Sequence, residues 1–228
     1  SGWSWEDVLP LFKRAESWEG EDDGMRGKEG PLTVSRNRVN RGIVDAWLTA
    51  AVAAGHKWTD DYNQEDQEGV GYFQMTMKGG RRCSSAVAYL NPVKHRKNLT
   101  VLTRAHTQRI VIKDGKALGA EVRINGEVKI IHARKEIILC TGAIGSPQLL
   151  MLSGIGDGRE LQDHGIETKY NSPGVGKNLQ DHLQVRPIYK CDASTINTEK
   201  QNPLRLLGMA FQYAVMRSGP MAMAASLG

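Results

Sequence analysis

The sequence is short of the residues that would staple it or carry it into a bilayer. It holds three cysteines, Cys83, Cys140 and Cys191, widely spaced and with no CxxC pair. That excludes a disulfide framework and a paired-cysteine zinc site, and points to a reducing compartment. No apolar run is long enough to span a membrane; the longest, LRLLGMAFQYAVM at 204–216, contains an arginine. The opening residues, SGWSWEDVLP, lack the charged-then-apolar pattern of a leader. A soluble, cytoplasmic protein with no membrane span is the expectation, and the Asn98-Leu99-Thr100 sequon is then read as chance. Aromatics are scarce at 6%, and none interleaves the two basic clusters, Arg81-Arg82 and Lys94-His95-Arg96-Lys97. A single-strand nucleic-acid platform needs that interleaving, so the net charge of +5 is read as a solvated surface and no nucleic acid is expected.

What is present is an ordinary globular composition, 40% hydrophobic and 24% charged over 228 residues, enough for one large domain or two small ones. Residues 4–16 read as a helix capped by Ser4, with Asp7 three residues on and Val8, Leu9, Leu11 and Phe12 on one side. Residues 42–54 read as a second helix, with Ile43, Val44, Trp47, Leu48, Ala51 and Val52 facing inward. The stretches 19–31 and 60–71 are polar and glycine-bearing, and read as loops.

From residue 98 the pattern changes to strands: NLTVLT, QRIVIK, ALGAEVRI and EVKIIHA. Lys113-Asp114-Gly115-Lys116 and Asn125-Gly126 separate the later ones and predict hairpin turns, because these residues accept positive φ. EIILC at 136–140 is apolar at nearly every position and predicts a strand buried on both faces, as in a parallel sheet. It runs into TGAIGSPQLLMLSGIG, where Ser146 suits a helix cap, Pro147 the first helical position and Gly154 the position after the helix. Such a strand–turn–helix places small residues where a phosphate-bearing ligand could approach the backbone. A tight turn with no ligand is the alternative on the residues alone.

TGAIGSPQLLMLSGIG resembles the second signature of the glucose–methanol–choline (GMC) oxidoreductases, flavoenzymes that oxidise alcohols. GWSWEDVLPLFKRAE, GRRCSSAVAYLNPVKHRKNLTVLTRA, DGKALGAEV and PGVGKNLQDH resemble further segments of that family, in the family's order and over most of the chain. The wording is most similar to the bacterial alcohol and choline dehydrogenases. The resemblance implies a mixed α+β / α/β fold in two parts. Residues 1–97 and 182–228 would be segments of an antiparallel substrate-domain sheet with its helices. Residues 98–181 would be the meander, one buried parallel strand and the signature turn of the FAD domain.

The departures bound what the chain can do. It carries no GxGxxG after a strand, no glycine-rich flavin-covering segment and no carboxyl-terminal catalytic histidine block. The expectation is an internal fragment of a longer enzyme, itself inactive, that needs the remainder of the FAD domain as a partner. In the intact enzyme the resemblance implies that a histidine takes the hydroxyl proton of an alcohol while hydride passes to flavin N5, with an electron acceptor to follow. No catalytic residue and no metal ligand is assigned here, and His164 and His182 are read as structural.

The resemblance assigns FAD contacts to Thr107, where the family has a valine whose backbone meets adenine, and to Thr141, Gly142 and Ala143. Asn178, Asp181 and His182 match a motif read as pinning a loop. Arg81, Arg82 and Ser84 are read as a charged turn. After Gly219-Pro220 the chain has Met221, Ala222 and Met223 where choline-oxidising enzymes tend to carry polar and acidic residues. Met221 and Met223 therefore suggest an aliphatic primary alcohol over choline. Packing methionines are the plain alternative. The competing functional readings are a choline dehydrogenase, an oxidase of the same family, and a stand-alone non-catalytic binding or structural module.

Overall fold

A computed structural model of the chain describes residues 2–21 and 24–222. It divides into two compact units, Ser1–Thr100 with Tyr189–Gly228, and Val101–Ile188. In the first, helix α1 (Trp5–Ala15) opens as its residues predict. Ser4 Oγ accepts the Asp7 amide and the Asp7 carboxylate accepts the Ser4 amide at 3.1 Å, a reciprocal capping box. Val8 and Leu9 are half-buried, whereas Leu11 and Phe12 stay exposed. The chain then enters strand β1 (Glu16–Trp18), which pairs in parallel with β2 (Leu32–Val34).

Two parallel strands need a long crossover, and here the glycine-rich loop between them is held by a buried arginine. Arg26 is 3% exposed. Its Nε and Nη2 bond Glu16 at 3.0 and 2.6 Å, and its Nη1 bonds both Asp61 oxygens at 2.8 and 2.7 Å. The guanidinium lies 4.4 Å from the Trp18 ring centre. The Gly27 and Asn63 amides complete the two carboxylates at 3.0 and 2.9 Å. Burial works against the charge on Arg26, but Glu16 and Asp61 outweigh it and hold the guanidinium above its ordinary value.

Helix α2 (Gly42–Ala53) buries Val44 and Leu48 against Val70, with Ile43, Ala51 and Tyr72 packed around them. Trp47 and Val52, expected on the same face, are 48% and 42% exposed. The stripe in contact is the i, i+4, i+7 line of Val44, Leu48 and Ala51, and the other two flank it. The Tyr72 hydroxyl donates to the Asp45 carboxylate. Burial first, then that carboxylate, pushes the phenol up to about 12. Strands β3 (Met77–Lys78) and β4 (Arg81–Arg82) form a hairpin, so Arg81 and Arg82 belong to a strand. A π-helical turn, Ala86–Leu90, follows.

The second unit is built on a meander of β5 (Ala105–Lys113), β6 (Lys116–Ile124) and β7 (Glu127–His132). Its turns are the predicted ones, with Asp114, Gly115, Asn125 and Gly126 all at positive φ. NLTVLT forms no strand, and EIILC at 136–140 is unpaired, with Ile138 74% exposed. The correction has a plain cause: a strand exists only through a neighbour's hydrogen bonds, and no described residue supplies one to 136–140. Helix α3 (Gly142–Leu152) follows, then β8 (Ile155–Gly156), α4 (Gly158–Asp163) and β9 (Tyr170–Asn171), the two short strands pairing in parallel. Asp157 caps α4 through the Arg159 and Glu160 amides.

In the first unit, α5 (Ile196–Glu199) is tied to Arg41 by a Glu199 ion pair of 2.8 Å. Helix α6 (Pro203–Met216) is capped by Asn202 and ends at Arg217 with φ +53. A 3-10 turn, Pro220–Ala222, closes the described chain. HLQVRPIYK at 182–190 is exposed and forms no strand. Among the described residues, no helix is long and apolar enough to cross a membrane. The architecture is mixed helix and sheet, as expected.

Candidate functional site

The turn at 141–143 is open, and the reason lies in three residues. Thr141 makes no side-chain cap bond to the helix; its hydroxyl instead lies 3.0 Å from that of Ser146. Gly142 adopts φ +84, a region that costs an L-residue strain. A β-carbon built there would meet nothing within 4 Å, so glycine is required by the backbone and the space beside it is free. Ala143 is exposed and Ile144 is 73% exposed. Among the described residues no hydrogen bond reaches the Gly142, Ala143 or Ile144 amides. Free first-turn amides beside an open glycine can receive an anionic or carbonyl-rich group.

The helix begins five residues earlier than Ser146 and Pro147 predict, with Thr141 at the cap and Gly142 first. Pro147 lies inside it, where its ring removes one interior amide. The Ser146 hydroxyl meets Thr141 rather than capping. The carboxyl end behaves as read: Gly154 follows the cap at φ +86, and a β-carbon there would lie 2.5 Å from the Glu167 carbonyl. The Gly154 carbonyl accepts the Lys169 and Tyr170 amides at 2.8 and 3.1 Å, which brings the β9 end of the chain alongside.

Ser153 carries a function that sequence reasoning missed. It is buried; its hydroxyl accepts the Ile110 amide at 2.7 Å and donates to the Leu149 carbonyl at 2.6 Å. One side chain thus locks the end of α3 to the middle of β5. The Ser-Gly pair in SGIG is the trace it leaves in the sequence, since a hydroxyl just before a C′ glycine can bond back one turn.

Thr107 sits in β5 of the same unit, half-buried and opposite Val122. The register skips between Thr107 and Arg109, so Gln108 is a bulge that bends the strand beside Thr107. No hydrogen bond joins Thr107 to Thr141, Gly142 or Ala143. Just past the bulge, Arg109 bonds Glu121 across the ladder at 2.7 Å, with its guanidinium raised and the carboxyl lowered by that bond.

Met221 belongs to the other unit, in the 3-10 turn, and is 49% exposed; Met223 lies outside the described residues. Asn178 takes φ +56, and the Asp181 carboxylate accepts the neighbouring His182 amide at 2.8 Å. The loop is bonded through backbone and carboxylate, without the histidine ring. Arg26, Glu16 and Asp61 were also missed, because a glycine-rich polar loop gives no sign that one of its arginines is buried.

The model of the GMC oxidoreductase family matches residues 1–184. The oxygen-dependent choline dehydrogenase of Rhizobium johnstonii is 47% identical over 184 residues, 81% of this chain and 33% of that protein. Among solved structures, the pyridoxine 4-oxidase from Mesorbium loti superposes with a TM-score of 0.74 at 33% identity, over 79% of this chain and 36% of that one. A formate oxidase from Aspergillus oryzae RIB40, studied for FAD modification, gives a TM-score of 0.85 at 26% identity over 100% and 41%. The chain spans about a third of the length of the curated relatives it matches.

Proposed function

This chain belongs to the GMC oxidoreductase family, and we propose that it forms part of an FAD-dependent enzyme oxidising the CH–OH group of a primary alcohol to an aldehyde. The observation that carries this reading is the open turn at Thr141-Gly142-Ala143, inside the segment that the family model covers. Its free amides and unfilled glycine side suit the nucleotide half of FAD, and Thr107 would add a backbone contact from β5. FAD, when bound, supplies the hydride acceptor. The protein's share is to hold the nucleotide at that turn and keep α3 fixed on β5 through Ser153. In this reading residues 98–181 serve the cofactor, and 1–97 with 182–228 serve the substrate. The remaining walls come from the rest of the FAD domain, and the cytoplasm is the working compartment.

An aliphatic alcohol is the proposed substrate class, supported by Met221 and Ala222 after Gly219-Pro220. Choline is the second reading, supported by the name of the Rhizobium johnstonii relative. Comparing kcat/KM for hexanol and choline on the protein from the complete reading frame decides between them. A clear choline preference sinks the methionine argument. The 228-residue chain alone is expected to bind FAD weakly and oxidise no alcohol. A yellow preparation of it that reduces a dye with alcohol would overturn that expectation.

A further inference from the structure

Helix α1 does not close onto the strands beside it. Trp5, Leu9 and Phe12 recur at helical spacing along α1, while Leu32 and Val34 face them from β2, and a cavity of about 420 Å³ lies between. Trp5 and Phe12 remain 57% and 68% exposed although both border this space. Two apolar layers separated in this way are a slot, since a packed core leaves no void of such a size. Its volume falls within the roughly 300–1,000 Å³ of small-molecule sites.

The polar groups around the slot divide into two sets. The charged ones are already committed. Arg26 is spent on Glu16 and Asp61, both Glu16 oxygens are occupied, and Lys13 Nζ donates to the Gly24 carbonyl at 2.8 Å. Of the neutral ones, Asn63 and Gln74 bond each other, but the side chains of Gln64, Gln67 and Thr76, which also line the slot, make no hydrogen bond among the described residues. An ionised ligand would lose hydration here, with no free carboxylate to meet a cation and, for an anion, only the Lys13 ammonium already held on the Gly24 carbonyl. A neutral head that both donates and accepts would find partners.

We propose that the slot between α1 and β2 binds a small neutral amphiphile, with an alkyl body against Leu9, Phe12 and Val34 and an uncharged hydrogen-bonding head at Gln64, Gln67 and Thr76. The site lies wholly in the first unit and is independent of the flavin reading, which places the cofactor turn in the second. Its occupancy is measured without catalysis.

The test is calorimetric titration of the protein expressed from its complete reading frame with hexanamide, hexanoate and hexylammonium, followed by methyl NMR. Hexanamide is expected to bind saturably and shift the Leu9, Leu32 and Val34 methyls, leaving Leu48 in the α2 core unmoved. Both charged isosteres should bind at least about tenfold more weakly. Val34→Phe, which fills the slot, should abolish binding, and Gln67→Ala should weaken it about fivefold. Should Val34→Phe fail to fold, Gln67→Ala carries the test, because that side chain is exposed. No saturable hexanamide binding, equal binding of hexanoate, or unchanged affinity in Gln67→Ala each overturns the proposal.

Discussion

The Arg26 network and the turn at Thr141-Gly142-Ala143 treat polar groups in opposite ways. Around Arg26, the buried guanidinium bonds both carboxylates, and these in turn accept the Gly27 and Asn63 amides. At 141–143 the backbone amides have no partner among the described residues, and Ile144 beside them stands in the open. A closed network holds a fold, because removing one member strands the rest. An open one costs little while it faces water and offers its donors to a ligand. Stability should therefore depend on the first region, and cofactor retention on the second.

The largest expected effect is that of Arg26→Ala. It leaves Asp61 and Glu16 without their counter-charge, and should destabilise the first unit by about 3–5 kcal/mol in urea unfolding. A loss under about 1 kcal/mol would mean that the network is ornamental. Ser153→Ala comes next. It strands the buried Ile110 amide, and should cost the second unit about 1–3 kcal/mol, with faster amide exchange at Ile110 as a direct readout. Gly142→Ala puts a side chain at φ +84 and should cost about 1 kcal/mol. Its larger effect should be on flavin content, which Arg26 variants that stay folded should leave unchanged.

The smallest effect belongs to the exposed Arg109–Glu121 pair. Arg109 holds the Glu121 carboxyl below its ordinary value, chiefly through their hydrogen bond. A lowered carboxyl stabilises the fold above its unfolded-state value, and that contribution fades as pH falls through the folded value. The window is thus the acid side of the ordinary carboxylate range. NMR titration should show Glu121 moving back up in Arg109→Ala, with no resolvable change in unfolding midpoint at neutral pH.

How far each region could be read from sequence follows the same division between local and distant causes. The capping box at Ser4 and Asp7 and the turns at Asp114-Gly115 and Asn125-Gly126 form as their residues predict, because each depends on neighbours a few positions away. The run at 136–140 shows the limit. Its composition asks for strands on both sides, and pairing depends on chain elsewhere. Pro147 misled for another reason: proline favours the first helical position but tolerates others, and Gly142 at positive φ started the helix sooner. Burial of Arg26 depends on Asp61, thirty-five residues away, so no window of sequence around MRGKEG could reveal it. At the candidate site, small residues and a C′ glycine were legible, whereas the Ser153 lock to β5 needed the fold.

The most direct measurement is flavin content and alcohol-dependent bleaching of the protein expressed from its complete reading frame, beside its Gly142→Val variant. The proposed function predicts a yellow protein whose flavin absorbance falls anaerobically with hexanol, and a folded variant that has lost most of its flavin. A colourless protein, or a Gly142→Val variant with full flavin content, would contradict it.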